Sequence, residues 1–574
     1  MFTIFVYNNK SVIFNEEDPD GKIDYAYSQA LKNHLSYQQK NAEWSEYYKK
    51  GLWDGKISVY NFKQQSFPTG LTNKVKELLD LLKVEYKFSD KRAKPNQNFP
   101  VTCDFGNKQL RDYQLASGQM SKKLQRGMLA LCTGAGKTMT SCEIFSQLQV
   151  APVVFIVPGI ELLKQTQKEF EKYLRIDGKP VNVGIAGGGL SNINLSGVNV
   201  VTYQTALAAF DKKYSESQNK VVHDKSAGDG CSKSTEQIIN EFEAAKKIYE
   251  SQLIIAEKQA ISLPKDQKNK YILNATKSAA NSLKKCEAAF KLRNNILSVK
   301  QKVRDLIVNC QAFIVDEAHL ASVIIEELGN LAENAYYKLG LSGTPWRTDN
   351  QEIRIEGALG RKIIEVSSSD LIQRGFLVKP KIFMIRINEK HEGHTYHEIY
   401  NSNIVNNWER NFRIKQFAEN LKSCNRPVLI LVERKEHGEL LEGLIQDSVF
   451  VPGDDKGEVD PSDEEKNYRR KMLNAVENNE IILIATQWAN TGVDAPKISS
   501  LILAGSSQSS VTTYQQAGRI LRCVGKDIEE SIKNGKPDAI LIDFECSQTI
   551  LKKHSNMRKK VYTREKAWEF HELG

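Results

Sequence analysis

The chain has 574 residues, 40% hydrophobic and 26% charged, with a formal net charge of +10. This is enough for two to four domains with sizeable cores and fits a soluble globular protein. No apolar run reaches the roughly 18 residues needed to cross a bilayer, no signal peptide is evident, and nine cysteines without a Cys-x-x-Cys pair exclude a zinc ribbon or disulfide framework. Reduced thiols and cytosolic residence are expected.

Taken in chain order, residues 1–96 form a first segment. The turns Leu52-Trp53-Asp54-Gly55-Lys56-Ile57 and Phe67-Pro68-Thr69-Gly70-Leu71, followed by a helical stretch from Val75 to Leu82, predict a small α+β domain. Residues 97–346 are expected to form an α/β domain. Within it, Met128 to Leu131 reads as a buried strand, followed by Thr133-Gly134-Ala135-Gly136-Lys137-Thr138 and a helix through Ile144 and Leu148. A strand, a glycine loop and a helix in this order present backbone N–H groups and a helix N-terminus to a phosphate. Lys137 would reach the outer phosphates, and the Thr138 hydroxyl would ligate Mg²⁺. Leu131 stands where the full motif has its first glycine.

Between Thr205 and Asp316 lies an insertion, residues 211–305, with 19 Lys/Arg and 12 Asp/Glu. Apolar residues recur at three- and four-residue spacing from Ile238 to Ala256, and again from Ile272 to Phe290 after Pro264. The spacing predicts two amphipathic helices in an antiparallel hairpin. It reads as a basic arm gripping duplex or splitting strands, as a solvated coiled-coil decoration, or as a protein-docking arm. Gln311 to Val315 is the next buried strand, with Asp316 and Glu317 at its end. Ligands bind at that edge of open parallel sheets. Two adjacent carboxylates repel each other, and a metal held by Asp316 relieves the conflict while Glu317 activates water.

Residues 347–379 are expected to be a linker and residues 380–550 a second α/β domain, with apolar strands at 427–432, 481–486 and 500–505. This domain has no phosphate loop. Its Gln515-Gln516-Ala517-Gly518-Arg519-Ile520-Leu521-Arg522 segment supplies Arg519 and Arg522 at a spacing suited to reaching a γ-phosphate from across a cleft. Residues 551–574, with Lys552, Lys553, Arg558, Lys559, Lys560 and Arg564, read as a basic C-terminal tail.

Thr-Gly-Ala-Gly-Lys-Thr, Asp316-Glu317-Ala318-His319, Ser342-Gly343-Thr344 and the Gln515–Arg522 segment resemble motifs I, II, III and VI of superfamily 2 helicases. Arg111-Asp112-Tyr113-Gln114 resembles the adenine-reading Q motif, with Gln114 the reader and Arg111 its helper. Ile156-Val157-Pro158 and Val201 to Thr205 resemble strand-contacting motifs, Glu433 to His437 resembles motif IV, and Gln487 to Pro496 resembles motif V. The resemblance implies two tandem RecA-like domains that use ATP and Mg²⁺. It assigns catalysis to Lys137, Asp316, Glu317, Gln515, Arg519 and Arg522. Nucleotide contacts fall on Arg111, Gln114, Thr133, Gly134, Ala135, Gly136, Lys137, Thr138, Gly492 and Asp494, and Mg²⁺ on Thr138 and Asp316. Coupling falls to His319, Ser342 and Thr344, and nucleic-acid contacts to Pro158, Thr202, Gln204, Arg434, Thr486 and Gln487, whose hydroxyls, amides and loop backbone suit phosphate and sugar.

The Trp-Asp-Gly and Phe-Pro-x-Gly-Leu turns resemble the N-terminal domain of phage UvsW-type branch-migration helicases. That resemblance implies a monomeric DNA motor acting on forks and junctions in a bacterial host's cytosol, alongside replication or recombination proteins and away from membranes. Lys49, Lys50, Trp53, Lys56, Tyr60 and Lys63 would then face nucleic acid. Trp346 is either a core residue or a stacking surface. An RNA helicase, a restriction-type translocase subunit and an ATP-gated nucleic-acid clamp are the alternative readings.

Overall fold

The computed structural model describes residues 1–39, 41–210, 235–320, 322–343, 351–387, 393–453, 463–486, 488, 495–506, 510–547 and 549–573. Two compact units emerge, one of residues 1–202 and 309–574 and one of residues 203–308. No helix among the described residues is long and apolar enough to cross a membrane.

Among the described residues, the first unit is built on three larger sheets, with a three-stranded and a two-stranded sheet beside them. At the N-terminus, four strands run in the order Ser66–Pro68, Lys10–Asn15, Phe2–Val6, Tyr86–Asp90. Ile4, Ile13, Phe67, Leu71, Val75 and Leu79 form the core beneath the helices Tyr25–His34 and Thr72–Leu81. Tyr60 belongs to this core rather than to the surface, because its ring fills the space beside Ser28. The Trp53 indole donates to the Lys56 carbonyl at 2.8 Å and so closes its own turn. Trp44 is among the exposed aromatics of this lobe, with the Lys49 ammonium 5.8 Å above its ring.

The second sheet has eight strands in the order Leu190–Asn192, Gly184–Gly187, Val198–Thr202, Val153–Val157, Ala312–Val315, Tyr337–Ser342, Arg126–Leu131, Lys362–Val366. All are parallel except the first pair. Its central strands, such as Val153–Val157, are buried at every position, as expected where helices cover both faces. Each fully buried Val, Ile or Phe there contributes about 1.5–3 kcal/mol. The N-terminal sheet is tied to this one through Asn9, whose amide donates to the Asn330 carbonyl and whose oxygen accepts from the buried Lys338.

The third sheet is wholly parallel, in the order Ser448–Val451, Ile482–Ala485, Val428–Leu431, Ser500–Leu503, Asp538–Glu545, Lys379–Arg386, Glu569–Leu573. The two larger sheets are the tandem RecA-like domains. Two expectations are corrected here. The segment 347–379 is not simply a linker, since Lys362–Val366 pairs with Arg126–Leu131 as an edge strand of the first domain. Residues 551–574 are not a tail: the helix Thr549–Arg564 packs on the sheet and Glu569–Leu573 supplies its edge strand.

The cause of the second correction is an ion pair hidden in the charge run. Arg558 and Asp543 are both buried. The Arg558 Nε donates to Asp543 Oδ2 at 2.7 Å and its Nη2 donates to Oδ1 at 3.1 Å. The Tyr562 hydroxyl donates to the same carboxylate at 2.8 Å. This carboxylate holds the arginine above its ordinary pKa against the opposing effect of burial.

The second unit, described by itself, is the expected hairpin. Helices Thr235–Gln259 and Lys265–Asn309 are joined by a 3₁₀ turn at Ala260–Ser262. The rings of Phe242 and Phe290 stack at 4.7 Å and 7° between the helices. Near its base, the Arg304 guanidinium donates to the Ala209 carbonyl at 2.7 and 3.2 Å. The helix Lys265–Asn309 has 45 residues, more than the expected pattern to Phe290, which gives a length of about 68 Å.

The Asp543–Arg558 pair yields a direct test. Replacing Asp543 by Ala strands a buried guanidinium and should cost about 3–5 kcal/mol, read as a lower urea midpoint for the second RecA-like domain. Adding Arg558→Met should recover most of that loss.

Candidate active site

The strand Arg126–Leu131 delivers the chain to the loop 132–136, and the helix Lys137–Leu148 starts directly after it. Gly136 has φ +78°, and a Cβ there would stand 2.5 Å from Gln114 Nε2. Glycine is therefore required by both conformation and space. The Gln114 amide nitrogen donates to the Ala135 carbonyl at 3.1 Å, while its oxygen accepts from the Arg111 N–H at 2.8 Å. The Tyr113 hydroxyl donates to the same Ala135 carbonyl at 2.8 Å and accepts from Arg111 at 2.9 Å. In this structure the Arg-Asp-Tyr-Gln segment thus fastens the loop. Its Arg111 guanidinium lies 4.0 Å over the Phe376 ring.

Asp316 and Glu317 follow the buried strand Ala312–Val315. Glu317 has φ +49°, a left-handed conformation that costs a non-glycine residue about 1–3 kcal/mol. The Ala318 N–H donates to the Leu341 carbonyl at 3.0 Å, which fixes the turn. The Lys137 ammonium donates to Glu317 Oε1 and lies 3.9 Å from Asp316 Oδ1. Burial pushes Asp316 up to about 6; Lys137 works against this and the charge of Glu317 adds to it. Glu317 moves the other way: burial would raise it, but Lys137 and His319 overcome that and hold it below the ordinary range.

His319 extends the cluster. Its Nδ1 is 2.8 Å from the Ser342 hydroxyl, at the end of the next strand. Its Nε2 faces the Gln515 amide nitrogen at 3.3 Å, which also donates to Glu317 Oε2 at 3.5 Å. The base candidate is therefore held from both RecA-like domains at once.

The helix Ser510–Ile520 rests on the phosphate loop. A Cβ on Gly518 would meet Thr133 Cβ at 2.8 Å, and one on Gly134 would meet Leu377 at 2.8 Å and Arg522 Cγ at 3.8 Å. Burial, and after it the charge of Arg522, lower Arg519 to about 10 against the opposite pull of Glu317, which reflects how near these charges lie. The Val378 N–H donates to the Leu521 carbonyl at 2.8 Å, and Leu377 and Arg522 form a bridge.

Lys137, Thr138 and Asp316 line one cavity. A hydroxyl and a carboxylate are hard oxygen donors, and Mg²⁺ takes one or two protein ligands beside phosphate and water. The donor set fits that ion.

Two family models match the chain. One, described as type III restriction enzyme, res subunit, covers residues 107–226, and the helicase conserved C-terminal domain covers residues 413–524. Together they span the phosphate loop and the arginine helix. In these two segments the chain is similar to superfamily 2 helicases. A candidate helicase, number 22, of Sulfolobus islandicus filamentous virus is 24% identical over 237 residues, 39% of this chain and 42% of that one. DNA 3'-5' translocase XPB2 of Sulfurisphaera tokodaii is 39% identical over 108 residues, 19% of this chain and 22% of its own. The chain spans less than half the length of these curated relatives. The solved structure of UvsW from bacteriophage T4 aligns with 100% of this chain and 99% of its own, at 16% identity and a TM-score of 0.39.

The expected strand contacts of this chain lie at several places. Pro158 and Thr202 stand together at one sheet edge, because Val157 pairs with Thr202. Arg434 precedes the helix Lys435–Leu444, donating to the Asn401 side chain with its guanidinium 4.3 Å over Tyr400. Thr486 is buried, and its hydroxyl accepts from the Gly453 N–H at 2.7 Å, so that oxygen braces a loop. Gln204 belongs to the second unit. Thr344, Trp346, Gln487, Gly492 and Asp494 lie outside the described residues.

Phe376 and Leu377 are site residues that sequence reasoning missed. They sit in a segment read as linker, and only the φ +74° of Gly375 marks the turn that aims them at the loop. The Gly518 contact gives the sharpest test of the closed arrangement. Gly518→Ala should lower kcat for nucleotide hydrolysis, by up to about 10²-fold if the helix is displaced by an ångström. KM should change little, and steady-state kinetics would show it.

Proposed function

We propose that this chain is an ATP-dependent DNA helicase or translocase that remodels forks and junctions by inchworm movement along one strand. The observation that supports the reading is the Gln515 amide on Glu317, together with the approach of Gly518 to Thr133, which bring the helix carrying Arg519 close to the phosphate loop. Closure and hydrolysis are then one event, and reopening after hydrolysis moves one domain along the strand.

In this reading Lys137 leaves the carboxylates to hold the outer phosphates, and Thr138 and Asp316 hold the metal. Bound Mg²⁺ supplies charge neutralisation at the phosphates. Glu317, oriented by Gln515, accepts a proton from the attacking water, and the two arginines neutralise charge on the transferring group. The Arg111–Phe376 pair offers a flat cationic and aromatic surface beside the loop for the base. A relative's name, DNA 3'-5' translocase, supports DNA as the track and 3'→5' as the polarity.

The test compares a four-way junction, a fork and a tailed duplex, with and without ATP. Conversion of the branched substrates with the tailed duplex nearly untouched is expected. Equal unwinding of all three would make the chain a general helicase, and activity only on RNA would sink the DNA reading. Arg522→Ala should reduce DNA-stimulated turnover by about 10³-fold or more, and Glu317→Gln should abolish remodelling while leaving nucleotide binding intact.

A further inference from the structure

The helix Thr549–Arg564 carries Lys552, Lys553, Arg558, Lys559, Lys560 and Arg564 and no acidic residue. Arg558 is committed to Asp543 and Lys559 to Glu572 at 2.5 Å. Lys552, Lys553 and Lys560 are exposed and make no ion pair among the described residues. The acids that follow the helix are engaged elsewhere. Glu565 accepts from the Ser369 and Tyr514 hydroxyls, and Glu569 pairs with Lys379 at 3.0 Å. At 100° per residue, the exposed positions 552, 553, 556 and 560 fall on one face about 100° wide. From Lys552 to Lys560 that face is about 12 Å long, the rise of three to four nucleotides of one strand.

This stripe connects to the expected strand path. Arg434 stacks on Tyr400 at 4.3 Å, and the Tyr400 ring lies 6.0 Å from that of Tyr396. Tyr396 in turn lies 6.1 Å from His554, in the first turns of the basic helix. His554 Nδ1 donates to the Ser506 carbonyl at 3.0 Å, which anchors the helix to the edge of the third sheet. Tyr396 is 44% exposed. The parallel strands end at this edge, so Arg434, Tyr396 and the start of the basic helix lie where ligands of such sheets bind.

We propose that the exposed face of this helix, with Tyr396 leading into it, is an additional phosphodiester-binding track that lengthens the nucleic-acid footprint of the second RecA-like domain. The inference rests on the nucleic-acid-motor reading above. Lysines spaced along one helix face suit phosphates and carry no sequence information, and an exposed ring between them and Arg434 suits a sugar or an unpaired base.

The test uses the full chain carrying Lys552→Gln, Lys553→Gln and Lys560→Gln together, and separately Tyr396→Ala. Binding is titrated from 50 to 200 mM salt on a ten-nucleotide single strand, a long single strand and a tailed duplex. The triple variant should lower the slope of log K against log salt by about 2 to 3 on the substrates that reach the helix. The slope on the ten-mer and the DNA-independent ATPase rate should not change. A lowered slope on the long single strand would identify the departing strand as the occupant, and one confined to the tailed duplex would identify the duplex. Identical slopes for wild type and variant on every substrate would overturn the track while leaving the motor reading intact. Absence of binding by the wild type would overturn both.

Discussion

The chemistry of this molecule depends on a contact made by a missing side chain. Gly518 lets the arginine helix lie directly on Thr133, so the arginine helix of one domain and the phosphate loop of the other share one site. Everything else in the site is arranged around that closeness. The Gln515 amide reaches Glu317 because the helix is near enough, and the Leu377–Arg522 bridge holds the backbone at Arg522 against the segment that follows Gly375. A side chain at position 518 would separate the domains without touching a single reacting group.

Charge balance is the second constraint. Lys137 faces two carboxylates in a poorly solvated place, and one cation serves both. Glu317 wins the closer contact and stays ionised, while Asp316 is left with a proton affinity raised by burial and by its neighbour. Any ligand that draws Lys137 toward phosphate must bring positive charge for the carboxylates it leaves. A nucleotide with its metal meets that condition, and a bare phosphate does not.

Much of this was legible in the sequence because glycine loops, paired carboxylates at strand ends and fully apolar strands rarely occur together in any other setting. The hairpin was legible too, since Phe242 and Phe290 recur with the helical period and meet in space. The C-terminal helix was misread because Arg558 looks like its neighbours in a charge run. Only the position of Asp543, fifteen residues upstream on a buried strand, marks it as interior. Tyr60 and Thr486 were misplaced for a related reason: residue type suits both a surface and a brace, and the partner that decides between them is remote. The same holds for Phe376 and Leu377, whose role exists only when the domains are closed.

The third sheet carries a further consequence for biosynthesis. Its strand Lys379–Arg386 is the first of that sheet to be made, yet both of its neighbours, Asp538–Glu545 and Glu569–Leu573, come from far downstream. At about 5–20 residues per second, the roughly 150 residues to Asp538 take about 8–30 s to emerge. For that interval an apolar strand has two unsatisfied edges, a template for pairing with another nascent chain. High contact order of this kind slows folding. The second domain thus depends on shielding during translation, whatever the stability of the finished fold.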